Sequence, residues 1–303
     1  MQELLINTIK SEKQILLVEN GKLIEKYFEK QNQERIEGNI YLGIVENILP
    51  GMQAAFVDIG KEKNTFIHIR DIIPKVSEET GNKDEDFSKY NIKDYLKYKM
   101  PILVQVKKDS TDKKGARIST HLSIPGRFSV IMPNENFITI SQKIDGEAER
   151  KRLKEIFKNN VSEGYGAIVR TSAINQDEAI LIEDIKQTIE KYETIKKKYE
   201  KELEKGKSVK PCLIFESEDI ILKLITDLMD KDLQRIITND KTVYDIINKK
   251  ITESGINIKL EMQENILNMY SLEKQLEETE NRKVWLKCGG FITIDKTEAL
   301  TAI

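Results

Sequence analysis

The sequence predicts an α+β, multi-domain chain, and three observations carry that prediction. Short alternating strands broken by Pro and Gly fill the stretch after Arg35, the texture of a small Greek-key barrel of the OB type. In the middle of the chain the apolar spacing changes to steps of three and four, which is helical. After Pro211 strands and helical periods alternate, which is α/β in character. With 303 residues and 39% hydrophobic content, two or three such cores can be buried.

Taken in order, residues 1–34 hold "ELLINTI" and "QILLVENGKLIEKYF", strands with a hairpin turn at Asn20-Gly21. "GNIYLGIVENILPGMQAAFVDIGKEKNTFIHIRDI" gives the short barrel strands, interrupted at Pro50-Gly51 and Gly60. A polar loop from Ser77 to Tyr90 precedes the strand "MPILVQVKKD". "GRFSVIMPNENFITISQKI" is strand-rich, and a helix is expected from Gly146 to Asn159, with Leu153, Ile156 and Phe157 on one face. "GYGAIVRTSA" reads as a strand. A long helix follows from Asn175 to Lys205, where Ile185, Ile189, Tyr192, Ile195, Tyr199 and Leu203 form an apolar stripe. The stripe suits internal helix packing, and a coiled coil with a partner is the other reading.

After Pro211 the strand "CLIFE" leads to a helix with Ser217 as N-cap and Glu218 and Asp219 in its first turn. Its buried face is Ile221, Leu224, Ile225 and Leu228. "DLQRIITND" and "NIKLEM" are strands; "KTVYDIINKKI" and "SLEKQLEETEN" are helices. The final "RKVWLKCGGFITIDKTEALTAI" reads as a strand, a Gly-Gly turn, a second strand and the start of a third.

Composition narrows the class. Charged residues are 33% of the chain, so its surface is strongly ionic, and 6 Pro with 15 Gly argue against long disordered linkers. No apolar run reaches about 18 residues and no leader pattern opens the chain, so a soluble, cytoplasmic protein is expected. Cys212 and Cys288 form no CxxC and are expected to be reduced core residues. His68 and His121 are the two histidines, too few for a zinc site built from this chain alone. Net charge is −2, yet Pro101 to Arg170 carries 13 basic against 8 acidic residues. Phosphate binding needs a basic face rather than a basic protein, although many neutral proteins show such an excess.

Four stretches, in order and at matching spacing, resemble the bacterial ribonuclease E/G family. "GNIYLGIVENILPGMQAAFVDIG" is similar to the start of its S1-type RNA-binding domain, and "KKGARISTHLSIPGRFSVIMPN" to its junction between barrel and sensor. "GYGAIVRTSA" resembles its sensor strand, and "RKVWLKCGGFITIDKTEALTAI" the start of its catalytic subdomain. The resemblance implies a magnesium-dependent endoribonuclease of RNA processing and decay, cutting single-stranded RNA with preference for a 5′-monophosphate end. It also implies a composite fold. An RNase H-like region is built from residues 1–34 and 212–280. The S1-type OB-fold barrel (35–119) and a 5′-sensor region (120–211) are inserted in it, and 281–303 start a DNase I-like subdomain.

The resemblance assigns Phe56 and Phe66 to RNA bases, since a ring face stacks on any base. The residues alone leave open that both fill the barrel core. Lys114, just before Gly115, matches a basic residue near the RNA and is otherwise a solvated loop charge. Arg170 and Thr171 match the pair that grips the 5′-monophosphate, by a planar fork of donors and a hydroxyl. Val130 matches the position whose backbone amide closes that pocket. Read without the family, "VRT" is a surface arginine on a strand.

In the family, "TEALTAI" is followed by a catalytic Asp and, two positions on, an Asn, with a second Asp later. The zinc-binding CPxC segment and the dimerising domain of its homo-oligomers also lie downstream. No catalytic or metal-binding residue is therefore expected within these 303 residues. Asp295 and Glu298 read as a turn between strands, and Asp58 as a barrel turn residue. The chain as written is expected to bind single-stranded, 5′-monophosphorylated RNA without hydrolysing it and without membrane contact. A stand-alone RNA-binding or regulatory protein competing for 5′ ends, and a structural module with no RNA role, are the rival readings. The last 20 or so residues are expected to be sticky or poorly ordered, as an open sheet edge.

Overall fold

A computed structural model describes residues 2–10, 12–30, 35–73, 89–110, 114–228, 233–254, 258–297 and 300–303. Most of the expected Ser77–Tyr90 loop and all of Glu298 lie outside them. Two compact units partition the chain, residues 1–34 with 219–303, and residues 35–218.

The chain opens with an antiparallel meander, β1 (Gln2–Ile9), β2 (Glu12–Glu19) and β3 (Lys22–Lys30). Asn20 and Gly21 both take positive φ (50° and 77°), the twist a two-residue hairpin turn requires, and bring Glu19 opposite Lys22.

The second unit begins with the barrel: β4 (Ile40–Leu49), β5 (Ala54–Asp58), β6 (Thr65–His68), the one-turn α1 (Ile92–Tyr95), β7 (Pro101–Lys108) and β8 (Arg117–Ser119). Strands run in the order β4-β5-β6-β8-β7, and β7 returns to β4, so five strands close on themselves. Alternate residues Val45, Val57, Ile67, Val104, Val106 and Ile118 fill the interior. Asp58 makes the expected turn, its Oδ1 accepting from Gly60 N at 2.7 Å.

A four-stranded sheet follows, from β9 (Ile124–Pro125), β10 (Ser129–Pro133), β11 (Ile138–Ile140) and β12 (Tyr165–Val169), in the order β11-β12-β10-β9. Helices α2 (Glu147–Asn160) and α3 (Glu178–Leu203) cover one face through Leu153, Ile156, Phe157, Leu181 and Ile185. Further along α3, Tyr192 and Ile195 pack with Ile40, Leu42, Leu122 and Ile124. The apolar stripe of α3 is thus used within its own unit, as helix packing. Glu149 ties α2 to the turn before α3, accepting from Arg152 (2.7 and 2.8 Å) and from Asn175 N (3.0 Å). Those bonds, the Arg152 side chain first, hold the Glu149 carboxyl down to about 2. A depressed carboxyl stabilises the fold above its unfolded value of about 4.5 and loses that contribution as pH falls toward 2. Urea unfolding should therefore separate the wild type from Glu149→Gln at pH 6 and bring the two together near pH 2.

Strand β13 (Cys212–Phe215), expected to reopen the RNase H-like region, instead pairs antiparallel with β4 at the barrel. A contact distant in sequence accompanies this pairing. Asn39, just before β4, accepts from Ser217 N at 2.7 Å, so the two ends of the unit are pinned together.

The first unit then resumes with α4 (Ile220–Leu228), β14 (Leu233–Thr238), α5 (Lys241–Ser254), β15 (Lys259–Met262) and α6 (Leu272–Thr279). β14 and β15 join parallel to β1, giving the sheet order β15-β14-β1-β2-β3. Leu4, Ile6, Ile15, Ile221, Ile225 and Ile236 pack on one face, and Leu5, Leu16, Ile237 and Leu272 on the other. The cap of α4 differs from the expected Ser217. Asp219 Oδ1 accepts from Ile221 N at 2.7 Å and the Asp219 carbonyl from Lys223 N, while the Ser217 amide is used by Asn39. Asp219→Ala should cost about 1 kcal/mol of unfolding free energy, measured by urea titration, and Ser217→Ala much less.

At the end of the chain, β16 (Lys283–Trp285) and β17 (Phe291–Thr293) form the expected hairpin, and β18 (Asp295–Lys296) pairs with β19 (Thr301–Ala302). Trp285 and Phe291 meet edge to face and are 66% and 50% exposed. Cys288 in this hairpin is exposed and Cys212 half-buried, so neither is the core residue expected of it. No helix among the described residues is long and apolar enough to cross a membrane.

Candidate nucleic-acid interface

Two places in the 35–218 unit gather the residues singled out in the sequence. The first is the outer face of the barrel. Period-two alternation turns Ala55, Val57 and Ile67 inward and leaves Phe56 and Phe66 half-buried, outside the barrel core. The two phenylalanines are direct cross-strand partners, with ring centroids 6.2 Å apart in a T-shaped contact. The core-filling alternative is thereby removed. His68 lies two residues beyond Phe66 on the same side; burial first, then Arg70, pushes its imidazole below the ordinary value.

Gly115 explains how Lys114 is carried to this face. A Cβ on Gly115 would come within 2.0 Å of the Asn64 carbonyl oxygen, so only glycine lets the two backbones approach. The next residue, Ala116, accepts from Phe66 N at 2.8 Å, which sets Lys114 at the same edge as Phe66. Arg117 pairs with Phe66 across β6 and β8 and forks onto the Asp71 carboxylate at 3.0–3.3 Å. Sequence reading passed over Arg117 and His68. The spacing Phe66-x-His68 was a signal for the second, and only the β6–β8 pairing shows the first.

The second place is the mouth of the four-stranded sheet. Arg170 and Thr171 leave the end of β12 where the chain turns from β9 to β10. Arg170 N donates to the Phe128 carbonyl at 2.9 Å, and its Nη1 to the Gly126 carbonyl at 3.3 Å. Thr171 starts a single 3-10 turn, Thr171–Ala173. The next residue, Ser172, donates its hydroxyl to the Arg127 carbonyl at 2.8 Å. From α3, the Asp184 carboxylate accepts from Arg127 N (2.8 Å), Phe128 N (3.2 Å) and the Ser129 hydroxyl (3.2 Å). The turn 126–129 is thus held from two elements, and Gly126 leaves no room for a Cβ, which would lie 2.4 Å from Thr188 Oγ1. Beside it, Arg127 stacks over the Phe128 ring at 4.9 Å, at the rim of a cavity of about 400 Å³.

Val130 lies on β10 opposite Ile168 and Pro125. Hydrogen-bonded pairs in an antiparallel ladder recur at every second residue. With Arg170 bonded to Phe128, Val130 and Ile168 form the next such pair. The Val130 amide is thereby aligned with Ile168 along the sheet.

The chain is also similar to known proteins. A family model described as "Ribonuclease E/G family" matches residues 123–303. The chain is 33% identical to ribonuclease G of Escherichia coli K12 over 99% of its own length and 61% of that protein's. It is 33% identical to ribonuclease G of Haemophilus influenzae, again over 99% and 61%, and 32% identical to ribonuclease E of Nostoc sp. over 96% and 43%. The chain thus spans about three-fifths of the length of the ribonuclease G proteins it matches.

Proposed function

This chain belongs to the ribonuclease E/G family, and from that premise we propose that it holds single-stranded RNA on its barrel and reads the 5′ end at the β12 terminus. The observation that carries the reading is the Phe56–Phe66 pair, turned out of the barrel core beside Lys114 and Arg117. Half-buried rings on an outer face gain less from barrel packing than core side chains do, whereas a base stacked on one gains about 1–3 kcal/mol. The basic side chains beside them answer the phosphates between bases.

At the second place, Arg170 offers a charged planar fork and Thr171 a hydroxyl to a terminal phosphate. Val130 and Ile168 supply apolar surface there, the Val130 amide being used within the sheet. A 5′-monophosphate fits one fork and one hydroxyl; a triphosphate brings bulk and charge that this set does not answer. The sheet order β3-β2-β1-β14-β15, with the last two parallel to β1, supports an RNase H-like reading of the other unit.

Hydrolysis in the family is read as magnesium-dependent. Among the described residues no three His, Cys, Asp or Glu side chains converge as a metal site. Asp295 is engaged by Arg282 at 2.5 and 2.8 Å.

The test is fluorescence anisotropy with one single-stranded RNA carrying either a 5′-monophosphate or a 5′-hydroxyl, with magnesium present and cleavage followed on gels. Binding should weaken steeply with salt and favour the monophosphate. Equal affinity for both ends would remove 5′ sensing, and affinity indifferent to salt would remove the RNA face.

A further inference from the structure

His121 sits in the short connection between β8 of the barrel and β9 of the sheet, and its ring is buried. Nδ1 lies 2.9 Å from Glu135 Oε1, and Nε2 3.3 Å from the Arg70 carbonyl oxygen. Arg70 belongs to the 3-10 turn after β6, and Glu135 follows β10, so one imidazole bridges the two substructures. Glu135 is 3% exposed and packs on Gly166 of β12, where an added Cβ would meet the Glu135 Cβ at 2.9 Å.

Both ring nitrogens are thus within hydrogen-bond distance of a partner, and the Glu135 carboxyl has the ring as its own. Removing one member of such a buried pair leaves the other unsatisfied, which burial penalises heavily, whereas replacing both by apolar groups does not.

Each end of the bridge leads to one of the two candidate places. Toward the barrel, the Ser119 hydroxyl and the Thr120 amide and hydroxyl all donate to the Asp71 carbonyl, and the Asp71 carboxylate holds Arg117 beside Phe66. Toward the sheet, Glu135 rests on the strand that ends in Arg170 and Thr171. The titratable and charged residues on the segments against the ring are Glu135 from the sheet and His68, Arg70, Asp71 and Arg117 from the barrel.

We propose that His121 and Glu135 form a latch, a buried positioning pair that fixes the angle at which the barrel presents RNA to the sheet. The proposal rests on the 5′-end reading given above. Discrimination between 5′ ends depends on the latch, and barrel affinity does not.

The test measures, at one pH and salt, the affinity ratio for 5′-monophosphate against 5′-hydroxyl RNA. Three proteins are compared: wild type, Glu135→Leu, and His121→Phe with Glu135→Leu, whose apolar pair refills the volume. Glu135→Leu should lose the preference several-fold while keeping its 5′-hydroxyl affinity, and the second change should restore it. An unchanged ratio in folded Glu135→Leu, or no recovery in the folded double variant, would overturn the latch. If the wild type shows no 5′ preference, the 5′-end reading fails, and hydrogen exchange at the Thr120 and His121 amides judges the latch separately. Protection lost in Glu135→Leu and regained in the double variant supports it, and equal protection in all three proteins refutes it.

Discussion

Replacing Phe56 and Phe66 together by alanine should weaken single-stranded RNA binding by at least about 30-fold at fixed salt, and leave the barrel folded. Each base stacked on a ring contributes about 1–3 kcal/mol, and the two rings offer a surface for one base each. About 2 kcal/mol, the lower bound for two stacked bases, corresponds to that factor. Stability changes far less, because neither ring belongs to the barrel core; what is lost is one edge-to-face contact of about 1 kcal/mol. The measurement pairs RNA titration with thermal unfolding. A melting point that collapses together with affinity would show that the rings are structural after all. Lys114→Ala is the companion: it should reduce the salt slope by about one phosphate's worth while sparing the stacking contribution.

Arg170→Ala should erase the preference for a 5′-monophosphate, a change of about 10- to 150-fold in the ratio of affinities, with 5′-hydroxyl RNA bound as before. The magnitude follows from charge-assisted hydrogen bonds worth about 1.5–3 kcal/mol. Lysine should rescue only part of it, since a point charge replaces a fork that also reaches the Gly126 carbonyl. Equal weakening of both RNAs would reduce Arg170 to a general phosphate contact. Thr171→Val should act in the same direction and more weakly, removing one neutral donor.

Much of this was legible in the sequence because period and turn chemistry are local. Asn20-Gly21, the barrel alternation and the stripe on α3 each specify their element without help from distant residues. The orientation of Phe56 was not legible, since "AAFVDIG" alternates equally well in either register and only the pairing with Phe66 decides it. The cap of α4 passed from Ser217 to Asp219 because the helix opens at Ile220, directly after Asp219; Asn39, 178 residues away, ties down the Ser217 amide instead. The same long reach hid Asp184, which organises the 126–129 turn from 55 to 57 residues further along the chain. Strand β13 looked like the start of the next α/β segment because a four-residue apolar run carries no address; the open edge of β4 supplied one.

That pinning of Asn39 to Ser217 also bears on how the chain reaches its native state during synthesis. The meander β1–β3 leaves the ribosome well before its partner β14, which comes more than two hundred residues later, as in the bond from Thr8 N to Asn239 Oδ1. Closing a flexible loop of some 180 residues costs about 4–5 kcal/mol of chain entropy. A segment that folds early and brings its own ends to within one hydrogen bond removes most of that cost before β14 emerges. The 35–218 unit is then a folding template for the residues on either side of it, and Asn39→Ala should slow the docking of β14 on β1 more than it lowers equilibrium stability.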